Sequence, residues 1–156
     1  MAIGLGQDAR KYLDAAAHLD LADDAYTHAF APPTYFLICH SIELALKAYL
    51  ASHGLDERRL MRIGHRLERA LEEAKKAAFS PAGNRFEELV QWLAPYHAEH
   101  SFRYRQLGYF RLPNARESID IVEPVIDYVE AGVRARYMDW RSAHPSQSAQ
   151  SQLLPE

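Results

Sequence analysis

The residues best suited to chemistry are His40, Glu43 and Lys47, in the phrase H-S-I-E-L-A-L-K. An imidazole changes charge near neutrality, with an ordinary pKa of ~6.5. A carboxylate can orient or accept a proton, and an ammonium can hold an anion. On a helix these three fall within roughly 60° of one another at about 100° per residue. Cys39, Leu46 and Leu50 flank the strip on one side and Leu44 and Ala51 on the other, so it is narrower than an ordinary solvated face. Such a strip must meet partners. One reading makes Glu43 and Lys47 a neutralising pair at a partly buried seam, with His40 bonded to a neighbouring helix. The other makes the strip the lining of a cleft, where His40 exchanges a proton and Lys47 holds an anionic group.

His65, in I-G-H-R-L-E, is the second candidate for acid–base work, because Gly64 frees the backbone to turn and the start of a helix favours an anion. A cap with no chemical role is the competing reading. His40 with Glu43 and His65 with Glu68 are both H-x-x-E pairs, but carboxylate-bridged metal sites in helical bundles use E-x-x-H, which this chain lacks. His97 and His100 share a helical spacing without an identifiable third ligand. No metal and no cofactor is therefore expected. In H-S-F-R-Y-R-Q-L-G-Y-F-R-L-P-N, Arg103, Arg105 and Arg111 interleave with Phe102, Tyr104, Tyr109 and Phe110. Aromatic platforms beside guanidinium groups suit single-stranded RNA or a nucleotide, which makes Arg103, Tyr104 and Arg105 candidate ligand-binding residues with Glu43 and Lys47. The competing reading has these aromatics closing one end of the fold. Three arginines serve a few phosphates, not duplex DNA.

The elements that position these groups are helical throughout. The chain has 156 residues, a formal charge of -3 and a single cysteine, Cys39. That length suits one domain with its own core, the charge excludes a globally basic binder, and the lone cysteine points to a reducing cytoplasm. The N-terminus lacks a signal-peptide pattern, and no run reaches the ~20 apolar residues of a membrane span. Periodic apolar positions predict a first helix over 8–30 and a second from Pro32 and Pro33 to about His53, the most buried of all. A charged link then leads to a third helix from Gly64 or His65 to Ala78. A short fourth helix begins at an Asn84 capping box and is stopped or kinked by Pro95. After a long connecting segment over 96–113, a fifth helix runs from Asn114 to Trp140, with Pro124 inside it. The expected fold is all-α, an antiparallel up-and-down bundle of four main helices plus one short helix over 1–141, followed by a polar, disordered tail over 142–156.

The phrases Y-F-L-I-C-H-S-I-E-L-A-L-K-A-Y-L, G-H-R-L-E-R-A-L-E-E-A and F-R-Y-R resemble the prokaryotic HEPN-type helical domains. The resemblance covers 31–75 well and 96–113 loosely. It implies a helical bundle, frequent homodimers, and roles in toxin–antitoxin, defence or stress systems. Some members cleave RNA without metal; others bind or scaffold. Catalytic members share an Arg and a His separated by four to six residues at the last core helix, and the helix from Asn114 to Trp140 carries no such pair. Arg59 and His65 have that spacing, but in the link before the third helix. Carried over by the resemblance are His40, Glu43, Lys47, Gly64, His65, Arg103 and Tyr104 as polar positions. Two functions follow as expectations: binding of RNA or a nucleotide, with His40 or His65 as general acid or base if RNA is cleaved, or a noncatalytic module that pairs with itself or a protein partner.

Overall fold

The computed structural model describes residues 1–23, 28–81, 84–103 and 111–145. Among them are six helices and no strand: α1 (Ala2–Ala22), α2 (Ala31–Ser52), α3 (Glu57–Ile63), α4 (Leu67–Lys76), α5 (Arg85–Ala98) and α6 (Ala115–Ala143). None is long and apolar enough to cross a membrane.

α2 is the axis of the fold and touches every other helix. Pro32 and Pro33 stand in its first turn, where an amide hydrogen has no helical partner to lose. Gly54, at φ +91°, ends it in a conformation that costs other residues a steric clash. Ile38, Ile42, Leu46 and Leu50 are fully buried along its length. Val122, Ile126 and Val129 of α6 and Ala9, Leu13 and Ala16 of α1 complete that side of the core. Cys39 is buried among them, and burial pushes its thiol well above the ordinary range, which leaves it an inert apolar filler. Gly6 sits 4.0 Å from the Ala48 side chain and 3.7 Å from that of Glu130, measured from where its own Cβ would stand, so α1 lies close on α2 and α6. Arg10 reinforces that seam by pairing with Asp127 and Glu130 of α6.

Five sequence expectations need correction. The first helix begins at Ala2 and ends at Ala22 instead of running to Phe30. Asp23 turns extended and its carboxylate accepts the Phe30 amide at 3.1 Å, a local bond that competes with helix continuation. The charged link is itself a helix, α3, because Asp56 caps it by accepting the Arg59 amide at 2.8 Å while Leu60 and Ile63 are buried. The expected five helices thus become six. The next helix starts at Leu67, so His65 lies in the turn before it and not within it. Finally, Pro95 does not stop α5, which continues to Ala98, and Asn84 makes no side-chain cap. Asn114 does cap α6, accepting the Glu117 amide at 2.9 Å. Of the expected tail, α6 covers residues to Ala143 and 146–156 lie outside the described residues.

Candidate functional site

The polar strip of α2 faces into the fold. Glu43 is 2% exposed, and its carboxylate is where α2 meets two other parts of the chain, α5 and the α3–α4 turn. Oε1 accepts Lys47 Nζ at 2.6 Å, one helical turn on. Oε2 accepts His97 Nε2 of α5 at 2.9 Å and His65 Nδ1 of the α3–α4 turn at 3.0 Å. His65 Nδ1 also stands 3.2 Å from Oε1. Burial alone would raise this carboxyl, but His40, His97, Lys47 and His65 around it outweigh burial and hold it well below the usual carboxylate range. Glu43 is thus an anion with Lys47 as its counter-ion. An ionised carboxylate only accepts, so each imidazole must present an N–H to it.

That requirement gives His65 a defined orientation. With Nδ1–H on Glu43, its Nε2 makes no hydrogen bond among the described residues. The His65 side chain is 50% exposed, whereas that of His97 is 3% exposed. A buried carboxylate that orients a half-exposed imidazole through one nitrogen leaves the other able to take or give a proton. Gly64 sets this orientation: at φ +64°, ψ -139° it occupies a region closed to residues with a side chain.

His40 is placed differently. Its Nδ1 is 3.9 Å from Glu43 Oε2, too far for a hydrogen bond, and is buried without a partner among the described residues. Its ring packs edge-on against Tyr12 at 4.5 Å and stacks on Phe36 at 5.8 Å. The contact with a neighbouring helix is therefore aromatic, with α1, and not the hydrogen bond that one sequence reading supplied.

Arg103 follows α5 in a turn where His100 adopts a left-handed φ of +56° and accepts the Arg103 amide at 2.9 Å. The Arg103 guanidinium lies 4.9 Å from the Phe36 ring centroid, and the His100 ring is 6.1 Å from that of His65. Phe102 stacks on Tyr35 at 5.7 Å and so belongs to the end of the bundle. Tyr104 and Arg105 lie outside the described residues.

Sequence reasoning missed two contributors. The spacing of His97 and His100 points to no third ligand, whereas His97, in the last turn of α5, is buried and turns inward to Glu43. The second is a set of exposed arginines on either side of His65 in the chain. Arg58, Arg59, Arg62, Arg66 and Arg69 of α3, α4 and their connection are all exposed, and none forms an ion pair among the described residues. Arg59, Arg62 and Arg69 line one hollow with Leu55, Ile63 and Glu73. Glu73, its one carboxylate, is engaged by Lys76 at 2.7 Å. The close spacing of arginines was the available signal.

Glu43, Lys47, His65 and His97 therefore form one network, His40 adjoins it, and Arg103 stands beyond His40 across Phe36. Among known proteins, no curated protein and no solved structure matches the chain. The model of the HEPN domain matches residues 8–132. With that match spanning most of its length, the chain belongs to the HEPN domain family.

Proposed function

We propose that this HEPN-domain protein binds single-stranded RNA or a nucleotide on the face that carries His65, His100 and Arg103. The observation that carries this reading is the buried Glu43 carboxylate holding the half-exposed His65 in the turn between two helices that bear exposed arginines. Guanidinium groups without carboxylate partners attract phosphates, and an oriented imidazole can donate to a phosphate oxygen when protonated or accept a 2′-hydroxyl proton when neutral. His65 is thus the residue for general acid or base work if RNA is cleaved, and Arg103, Tyr104 and Arg105 supply stacking and phosphate contacts. Lys47 and Glu43 serve by positioning His65, and His40 by packing beside them. The up-and-down antiparallel arrangement, a cytoplasmic location and a defence, stress or toxin–antitoxin setting belong to the same proposal. The test is fluorescence anisotropy of labelled single-stranded RNA and of ATP at low salt in EDTA, with His65→Ala and Arg103→Ala. Binding that weakens tenfold or more in His65→Ala supports the reading; no binding by the unaltered protein sinks it. Gel analysis of the same RNA after incubation reports cleavage.

A second reading rests on a different observation. From Arg134 to Ala143 every residue of α6 is exposed, including Tyr137, Met138 and Trp140, and the Trp140 and Tyr137 side chains share a hollow with Met1 and Ile3. We propose this overhang as the face through which two copies associate, as exposed apolar clusters favour. Light scattering of the full chain tests it: a dimer that becomes monomeric in Trp140→Lys supports association here, and a monomeric parent protein refutes it.

A further inference from the structure

Glu43, His65 and His97 each offer one ligand atom, and these atoms all lie within 4.8 Å of one another. We propose that the three residues form a binding site for a divalent transition metal ion of zinc's class, a function separate from the RNA reading. Two imidazoles and one carboxylate, with a fourth position open, form a ligand set that zinc accepts. Zinc holds nitrogen and oxygen ligands at ~2.0–2.2 Å, so ligand atoms around a tetrahedral ion stand about 3.4 Å apart. His97 Nε2 and His65 Nδ1 stand 2.9 and 3.0 Å from Glu43 Oε2. Each must move about half an ångström from Oε2, and the two nitrogens, within 4.8 Å of each other, must settle at about 3.4 Å to admit the ion. For an imidazole to present a lone pair to the ion, its one ring proton must sit on the other nitrogen, Nε2 of His65 and Nδ1 of His97, so each ring changes tautomer as the ion enters, the liganding nitrogen releasing a proton to solvent while the other takes one up.

The surroundings favour this use of Glu43. Lys47 occupies Oε1 at 2.6 Å, which fixes the carboxylate plane and leaves Oε2 turned to both imidazoles. His97 is buried and thus preset, while His65 stands at the rim, 50% exposed, which gives the ion an entry path and a solvent-side fourth position. The interior place of His97 near the end of α5 sets it with Glu43 and His65, in place of the pairing with His100 that its spacing suggests. The Lys47 ammonium also repels a cation, so its removal should tighten binding, an effect opposite to that of losing a structural residue.

The full chain, stripped with EDTA and dialysed, is titrated with zinc alone by calorimetry, with bound zinc counted by elemental analysis. Cobalt is added in a parallel titration for its visible tetrahedral spectrum. One ion per chain is expected, with affinity reduced at least tenfold in His97→Gln and in His65→Asn, and raised several-fold in Lys47→Met. Far-UV circular dichroism establishes that each variant is folded, and the half-exposed His65→Asn keeps the test decisive if His97→Gln does not fold. No bound zinc, affinity unchanged in both histidine variants, or weaker binding in Lys47→Met overturns the proposal. These titrations contain no RNA and the RNA assays contain EDTA, so either result can fail without the other.

Discussion

Replacing Glu43 with glutamine removes the charge at the centre of the network while keeping its shape. Lys47, 15% exposed and 2.6 Å from Oε1, then loses its counter-ion within the fold. Breaking one partner out of a buried ion pair costs about 3–5 kcal/mol, because the remaining charge is left uncompensated. The two imidazole N–H groups also lose an ionised acceptor, and each weakened bond adds about 1 kcal/mol at most. A loss of about 4 kcal/mol is the central expectation, a large share of the ~5–15 kcal/mol that stabilises a typical domain. At about 2–4 °C per kcal/mol for a chain of this size, the melting temperature should fall by roughly 8–16 °C. Urea unfolding followed by far-UV circular dichroism at pH 7 measures the free-energy loss, and a thermal scan of the same signal measures the fall in melting temperature. The double variant Glu43→Leu with Lys47→Met, which buries neither charge, should recover at least half of the loss. A Glu43→Gln cost below about 1 kcal/mol, or a double variant no better than the single one, would refute the view that this carboxylate is an ionised, paired hub.

Other outcomes follow from the same structure. Gly64→Ala should cost about 1–3 kcal/mol from backbone strain alone, since no atom stands within 4 Å of the added Cβ, and differential scanning calorimetry reads it. Asp56→Ala and Asn114→Ala should each cost about 1 kcal/mol in urea unfolding, whereas Asn84→Ala, which removes no cap bond, should stay within about 0.5 kcal/mol. Tyr35 is buried with its hydroxyl donated to the Pro113 carbonyl; burial first, and Asp20 second, push its pKa up to about 12. Because the folded value lies above the unfolded one of about 10, the stability it contributes is whole below pH ~10 and is lost as the pH rises towards 12. Ultraviolet titration should lose one late-titrating tyrosine in Tyr35→Phe, while Tyr49, whose pKa burial also raises, still titrates late.

The helical class and the strip of His40, Glu43 and Lys47 were legible because helical periodicity depends only on residue order. Gly64 and His65 were legible as a pair, since glycine signals unusual backbone. The role of His97 was not, because it depends on how a helix passes a proline. Interior proline costs a helix about 3 kcal/mol or more in isolation. Here burial of Leu93, Ala94 and His97 beyond and around Pro95 offsets it, and that is a tertiary effect no local pattern reports. The same holds for α3, which reads as a charged link until Leu60 and Ile63 are seen to be buried. His40 shows the converse: its position on the strip was plain, but the aromatic contacts with Tyr12 and Phe36 that occupy it were not.

Long-range proton–nitrogen correlation NMR of the histidine rings decides whether Glu43 orients His65 for RNA. His65 should be protonated at Nδ1 towards Glu43 and His97 at Nε2, and the His65 ring should shift selectively when single-stranded RNA is added at low salt in EDTA. A His65 ring unprotonated at Nδ1, or one unmoved by RNA that binds, would contradict that role.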